Sequence, residues 1–261
     1  MRPPRQVRGE PVQIKAEEMT FDTNKTVREL AVEVPSATRV FEKLGIDYCC
    51  GGGKKLAEAC SQAKLSVNDV LSGLEQAENA RLARQETAID WNLASLTEVI
   101  DQIMKKHHTY VQAEIPRLTN LANKVSSKHG PAHPETVVVN DLFETLADEL
   151  TMHLMKEEQI LFPYIVRLEE STIEKTPVIP SCFGTVENPI AMMVSEHDSA
   201  GEILGKLRTA TGNYKLPEDA CTSYRALYTG LIEFEADLHQ HIHMENNILF
   251  PRAIALEQGS N

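Results

Sequence analysis

Two segments of the chain, "HLMKEEQILFP" at 153–163 and "HIHMENNILFP" at 241–251, follow one pattern, H-x-x-x-E-x-x-I-L-F-P. Every shared residue of the second copy comes 88 positions after its counterpart in the first. A histidine and a glutamate four residues apart are neighbours on one face of an α-helix. The repetition therefore predicts two helices that each present one His–Glu pair at matching positions.

The residues around each pair indicate which helix face it occupies. Alternating steps of three and four residues connect it to apolar residues, as on the buried face of a bundle helix. In the first copy this face comprises Phe143, Leu146, Leu150, His153, Glu157, Ile160 and Tyr164; in the second it comprises Leu231, Phe234, Leu238, His241, Glu245, Ile248 and Arg252. We therefore expect both His–Glu pairs to point into a core.

A second repeat, with an offset of 89, relates two further helical segments. It matches Met104 with Met193, His108 with His197, Ile115 with Leu204 and Leu118 with Leu207. Each segment thus contributes one inward-facing histidine. This register selects His108 rather than the adjacent His107, which we expect to be peripheral.

Six polar side chains would then meet in one apolar core, where an unpaired carboxylate is costly. Metal ions would remove that cost, because imidazole and carboxylate suit iron, manganese or zinc and two carboxylates can bridge two ions. A metal-free bundle would instead need the six groups to satisfy one another. The matched copies favour metal, and the predicted ligands are His108, His153, Glu157, His197, His241 and Glu245.

The wider pattern predicts an all-α protein. Amphipathic segments at about 93–125, 136–168, 189–210 and 218–257 predict a four-helix bundle of two repeated helix pairs within residues 90–257. Shorter segments predict a small helical domain at 25–85, with Ser36 and Ser66 as helix N-caps and Gly45 as a helix end. Residues 1–24 are polar and predict a flexible extension.

The small domain contains the loop "IDYCCGGGKK" at 46–55. Three glycines make the backbone after Cys49 and Cys50 permissive, and we expect both sulfurs to be accessible to a partner. The two thiols could relay electrons, form a reversible disulfide or bind iron transiently. The alternative is that they are simply buried. Cys60, Cys182 and Cys221 are interpreted as structural.

Composition excludes several classes of function. With 261 residues and a formal net charge of −12, the chain lacks the basic surface of a nucleic-acid-binding protein. No apolar run approaches the roughly 20 residues of a membrane-spanning helix, and the N-terminus lacks the apolar stretch of a Sec signal. Five scattered cysteines do not suggest a secreted disulfide framework. We expect a cytoplasmic protein without a membrane partner.

Other charged residues near the repeated pairs receive simpler interpretations. Glu158, Glu149 and Asp148 are expected to be solvated helix charges. Glu149 lies one turn before His153, so an alternative role is to orient that histidine. His129 and His133 fall in a predicted loop and are expected at the surface.

The segments "DYCCGGG", "SEHDSAGE", "HLMKEEQILFP" and "HIHMENNILFPRA" together resemble the RIC (repair of iron centres) family. These are bacterial di-iron proteins with a hemerythrin-like domain that repair iron–sulfur clusters. The resemblance covers about residues 27–256. It implies two irons in an oxo- or hydroxo-bridged centre, with Glu157 and Glu245 as bridging ligands. It also implies that Cys49 and Cys50 are the family's functional cysteines.

Two functional hypotheses follow. The first, implied by the resemblance, is a stress-induced protein that restores iron–sulfur proteins damaged by nitric oxide or oxidation, by donating iron; nitric oxide reduction at the same centre would make it an enzyme as well. The second is a hemerythrin-like protein that binds or senses oxygen or nitric oxide. Four symmetric histidines, instead of the five typical of oxygen carriers, and the attached cysteine domain favour the first. Its partners would be damaged iron–sulfur proteins, and a homodimer is left open.

Overall fold

The computed structural model describes residues 21–84, 89–177 and 181–259. Most of the predicted N-terminal extension, and the predicted end of the small domain at residue 85, lie outside these ranges. The chain divides into two compact units, residues 1–99 and 100–261. Within the described ranges the regular structure is helical, and the β-type pairings are the isolated bridges Thr26–Lys55 and Ser181–Gly184. The all-α prediction is confirmed.

The N-terminal unit contains four short helices: α1 Val27–Glu33, α2 Ala37–Leu44, α3 Leu56–Gln62 and α4 Val67–Ala83. Thr26 starts α1 with a reciprocal cap, since its hydroxyl accepts from the Glu29 N–H and the Glu29 carboxylate accepts from the Thr26 N–H. Gly45 ends α2 at a φ of +67°, as predicted. Ser36 and Ser66 stand at the N-cap positions of α2 and α4 but make no capping hydrogen bond.

Apolar faces of these helices form a core of their own. It includes Val27, Leu30, Phe41, Ile46, Tyr48, Leu56, Val70 and Leu74, each at most 4% exposed. Tyr48 and Ile46 come from the loop that bears the two cysteines. That loop is therefore attached to the core by its first residues.

Four long helical rods follow, and three of them contain a π-helical turn. The first rod is α5 Leu96–Gln102, a π turn Ile103–His108 and α6 Thr109–His129; the second is α7 Glu135–Lys156, a π turn Glu157–Leu161 and α8 Phe162–Glu174. The third is α9 Glu187–Thr211 alone, and the fourth is α10 Thr222–Met244, a π turn Glu245–Leu249 and α11 Phe250–Gly259. No described helix is long and apolar enough to span a lipid bilayer.

These rods pack as a bundle in which α7 contacts α6 and α9, α10 contacts α6, and α11 contacts α8. Most residues of the predicted buried faces are buried, among them Phe143, Leu146, Leu150, Leu231, Phe234 and Leu238. The prediction of burial is wrong for two residues. Met104 is 36% exposed and Ile160 is 49% exposed.

Both residues share one structural feature, although Ile248, the repeat partner of Ile160, shares it too and is only 4% exposed. Met104 and Ile160 lie inside π turns, which add a residue to the local turn and rotate the following side chains. Ile103 and Leu161 are buried in their place. Counting along an ideal α-helix therefore selects the wrong residue in the first two π turns.

Candidate metal centre

The π turns and their flanking helices present all six predicted ligands to one place in the bundle. His108 is the last residue of the first π turn, and Glu157 and Glu245 are the first residues of the other two. The remaining histidines come from ordinary helix, namely His153 on α7, His197 on α9 and His241 on α10. All six side chains are buried. π turns within α-helices are frequent at functional sites.

The six residues form two overlapping groups of potential metal ligands. One consists of His108, Glu157, His241 and Glu245, and the other of His153, Glu157, His197 and Glu245. In each group the ligand atoms lie within 4.8 Å of one another. Both groups contain both glutamates, so the arrangement has two halves that share their carboxylates.

Within each half, two imidazole nitrogens face each other. The Nε2 atoms of His108 and His241 are 3.1 Å apart, and those of His153 and His197 are 3.0 Å apart. Two imidazoles bound at right angles to one ion, with metal–nitrogen bonds of about 2.1 Å, have nitrogens about 3 Å apart. Each pair thus has the spacing of two ligands on a single ion.

The carboxylates lie between the two halves. Glu157 Oε2 is 3.5 Å from His108 Nε2 and 3.3 Å from His153 Nε2. The two oxygens of Glu245 lie 2.9 Å from His241 Nε2 and 3.2 Å from His197 Nε2. Both oxygens of Glu157 and the Oε2 of Glu245 are buried without a hydrogen bond of good geometry. Carboxylates in such a position need a cation, and this nitrogen and oxygen donor set fits iron, manganese or zinc.

Electrostatics show the same demand for positive charge. Burial alone would lower the pKa of His108, but the Glu157 and Glu245 carboxylates raise it to about 10. Burial would likewise lower the pKa of His197, which the same carboxylates raise to about 9. Protons on these imidazoles therefore balance the buried negative charge in the metal-free protein. A bound metal ion would displace them.

Three of the four histidines also form a hydrogen bond through Nδ1, the ring nitrogen that faces away from the cluster. His108 Nδ1 lies 2.8 Å from Glu158 Oε1, His153 Nδ1 lies 2.8 Å from Glu196 Oε2, and His197 Nδ1 lies 2.9 Å from Asn246 Oδ1. Such acceptors orient a ligating imidazole and raise its basicity. The interaction also fixes the tautomer, leaving Nε2 for the metal.

These contacts correct one expectation from sequence and decide one alternative. Glu158 is not simply a solvated charge, because it accepts from His108. Glu149 does not orient His153, since its carboxylate accepts from the Ser199 hydroxyl at 3.0 Å. A usable signal was present: Glu158 and Asn246 each directly follow a glutamate of the repeat.

His107 belongs to neither group of ligands, as the register predicts, but it is not peripheral. Its side chain is 0% exposed, and its ring lies parallel to that of His241 with the centroids 5.5 Å apart. Its Nδ1 lies 2.9 Å from Asp237 Oδ1. His107 is therefore a buried imidazole that lies next to the ligand cluster without belonging to it.

The cysteine loop of the N-terminal unit is organised by Asp47. Its carboxylate accepts backbone N–H groups from Cys49, Cys50 and Gly51 at 3.0, 3.1 and 2.8 Å. The free N–H groups at the start of α1 donate to the loop carbonyls of Lys54 and Gly52. The loop is thus fixed by its backbone.

The two thiols of this loop differ in exposure. Cys49 is 3% exposed, whereas Cys50 is half-buried, so the expectation that both sulfurs are accessible is wrong for Cys49. The two Sγ atoms are 3.9 Å apart. The contact with Cys50, burial and the Asp47 carboxylate raise the pKa of the Cys49 thiol well above its usual range. Cys49 is therefore a thiol rather than a thiolate at neutral pH.

Comparison with known proteins gives the same division of the chain. Residues 99–253 match the family described as "Hemerythrin HHE cation binding domain", and residues 23–78 match a "Domain of Unknown function (DUF542)". The chain is 41% identical over 229 residues to "Iron-sulfur cluster repair protein YtfE" of Escherichia coli O81 (strain ED1a), covering 88% of this chain and 96% of that protein. The protein of the same name from Escherichia fergusonii is 40% identical with the same coverage.

The chain belongs to the RIC family. The resemblance predicted from the cysteine loop and the repeated segments is confirmed. The buried His/Glu cluster lies inside the hemerythrin-like part of this RIC protein, and that part fits iron binding.

Proposed function

We propose that this RIC protein repairs damaged iron–sulfur clusters by donating iron from a two-iron centre. The proposed ligands are His108 and His241 for one iron, His153 and His197 for the other, and Glu157 and Glu245 as bridges. The observation that supports this most is a pair of buried carboxylates that extend to both halves, with three of their four oxygens lacking a hydrogen-bond partner. The names of the relatives describe iron–sulfur cluster repair.

The division of labour that we propose follows the two parts of the chain. Residues 90–257 would form the di-iron bundle, and residues 25–85 would form the small domain with the cysteine loop. The protein would act in the cytoplasm. Its partners would be iron–sulfur proteins that have lost iron or reacted with nitric oxide.

The donor set suits donation rather than permanent storage. Bound iron would supply both the metal that a damaged cluster lacks and a coordination position open to nitric oxide or oxygen. The six residues include no thiolate, so their hold on ferrous iron is moderate and compatible with release. The histidine rings are kept in position by Glu158, Glu196 and Asn246, so the residues stay arranged for reloading.

The cysteine loop would assist transfer. Cys50 is the partly exposed thiol and Cys49 lies beside it as a buried proton donor. A thiolate is a softer ligand than imidazole or carboxylate and matches the sulfide environment of a cluster. We assign to the pair a role in delivering iron or electrons, not in holding the resident irons.

The competing hypothesis is a hemerythrin-like protein that only binds or senses oxygen or nitric oxide. One experiment separates the two. The protein is purified without oxygen, its iron is counted and characterised by Mössbauer spectroscopy, and iron-loaded and iron-free forms are added to a nitric-oxide-damaged iron–sulfur enzyme. We expect two coupled irons and reactivation by the loaded form alone. Ligand binding without reactivation would favour the sensor, and retention of zinc under iron-replete expression would contradict the iron assignment.

A further inference from the structure

The two halves of the centre are related by the internal repeats, but their surroundings are not equivalent. His108 and His197 correspond at an offset of 89, and their Nδ1 atoms have matching acceptors, Glu158 and Asn246, which correspond at an offset of 88. His153 and His241 also correspond, but the surroundings of their Nδ1 atoms differ.

The acceptor next to His153 Nδ1 is Glu196, the residue directly before His197. Its Oε2 lies 2.8 Å from His153 Nδ1, and Lys156 forms an ion pair with its other oxygen. The repeat predicts that the residue directly before His108 has this role for His241. That residue is His107.

His107 does not provide the acceptor. Its Nδ1 lies 2.9 Å from Asp237 Oδ1, and its ring is parallel to that of His241, with an interplanar angle of 5° and centroids 5.5 Å apart. The Nδ1 of His241 and the Nε2 of His107 are buried and make no hydrogen bond. Among the four histidines, His241 is thus the one whose Nδ1 has no acceptor within the described structure.

The consequence follows from metal-site chemistry. An acceptor behind an imidazole raises its basicity, and loss of such a partner typically lowers metal affinity about 10- to 100-fold. One half of the centre has two supported histidines, and the other has His108 supported and His241 unsupported. We infer that His107, fixed by Asp237, is a positioning residue that weakens the His241 ligand, so that iron leaves first from the half formed by His108 and His241. This inference rests on the proposed function and specifies which iron is donated.

Release kinetics test this inference. Iron-loaded protein is mixed with excess ferrozine under reducing, anaerobic conditions, and the coloured complex is followed with time. We expect two phases of equal amplitude. The protein is also crystallised after the fast phase, and anomalous diffraction at the iron edge is expected to show iron beside His153 and His197 and little beside His108 and His241.

Variants identify the cause. His107→Gln places an amide at the position that corresponds to Glu196 in the other half, so we expect its oxygen to accept from His241 Nδ1 and the fast phase to slow about tenfold with unchanged iron content. Glu196→Ala is the matched change in the other half, and it should accelerate the slow phase alone. This second variant keeps the test decisive if His107→Gln does not fold.

Three outcomes would overturn the inference: a single release phase, iron lost first beside His153 and His197, or a fast phase unaffected by His107→Gln. These results would leave the proposed function standing, because the protein would still hold and donate two irons. A chain that binds fewer than two irons would overturn the proposed function and the inference together.

Discussion

The metal centre and the cysteine loop are constructed in opposite ways. The centre is assembled from side chains on four helical rods, with residues up to 137 positions apart in the sequence. The loop is local, and backbone hydrogen bonds to Asp47 and to the start of α1 maintain its shape. Substituting a side chain should therefore disrupt the centre, whereas the thiols of the loop can be replaced while its conformation remains.

The largest effect is expected from the shared carboxylates. Glu157→Ala or Glu245→Ala should remove iron from both halves, because each carboxylate lies against histidines of both. Iron analysis and the visible spectrum of the purified variants measure this loss. The matched control is Glu149→Ala, whose carboxylate accepts from the Ser199 hydroxyl and which should keep its iron. If both variants kept full iron, the bridging assignment would be wrong.

A smaller and more selective effect is expected at the adjacent histidines. His108→Ala removes a ligand of one half, and we expect its iron content to fall by about half. His107→Ala should retain the full amount, since His107 belongs to neither ligand group. Metal analysis at equal protein concentration distinguishes the two variants. The reverse result would mean that the first rod is rotated by one residue relative to its repeat partner.

The comparison of sequence and structure explains which of these features could be predicted. The six candidate ligands followed from two repeats, because matched spacing fixes which residues share a helix face. Glu196 and Asp237 could not be assigned as partners of His153 and His107, since each lies on a different rod and depends on how the rods are rotated against each other.

The π turns were missed although the sequence contains a signal for two of them. Pro163 and Pro251 each come six residues after a glutamate of the repeat. Proline has no N–H to donate and its ring clashes with the carbonyl four residues earlier, and a wider turn just before it accommodates both constraints. The burial of Cys49 has a separate origin, because the Asp47 carboxylate accepts the backbone N–H groups of the following residues and fixes the loop.

The cysteine loop should respond differently from the centre. The double variant Cys49→Ser, Cys50→Ser should keep its iron, because neither residue lies in the ligand groups. It should lose most of its ability to reactivate a damaged iron–sulfur enzyme, since serine is not a soft ligand or a redox group. The assay compares reactivation rates at equal iron loading. Equal rates would indicate that the bundle alone carries the function. Loss of iron would indicate that the cysteines are iron ligands.

The smallest expected effect concerns stability of the metal-free protein. Histidines in an unfolded chain have a pKa of about 6.5, whereas His108 and His197 titrate at about 10 and 9 in the folded protein. A histidine whose pKa is higher in the folded than in the unfolded protein stabilises the fold fully at a pH below its unfolded pKa. This stabilisation is lost as the pH rises through its folded pKa. The melting temperature of the metal-free protein should therefore fall between pH 7 and pH 10. In His108→Gln the fall should be shallower; an identical pH profile would show that His108 is not protonated.

Anomalous diffraction at the iron edge, on crystals of the fully iron-loaded protein, tests the central claim most directly. We expect two iron peaks in each chain, one beside His108 and His241 and the other beside His153 and His197, with both Glu157 and Glu245 in bonding contact with each iron. A single peak, or two peaks that do not share these carboxylates, would contradict the account.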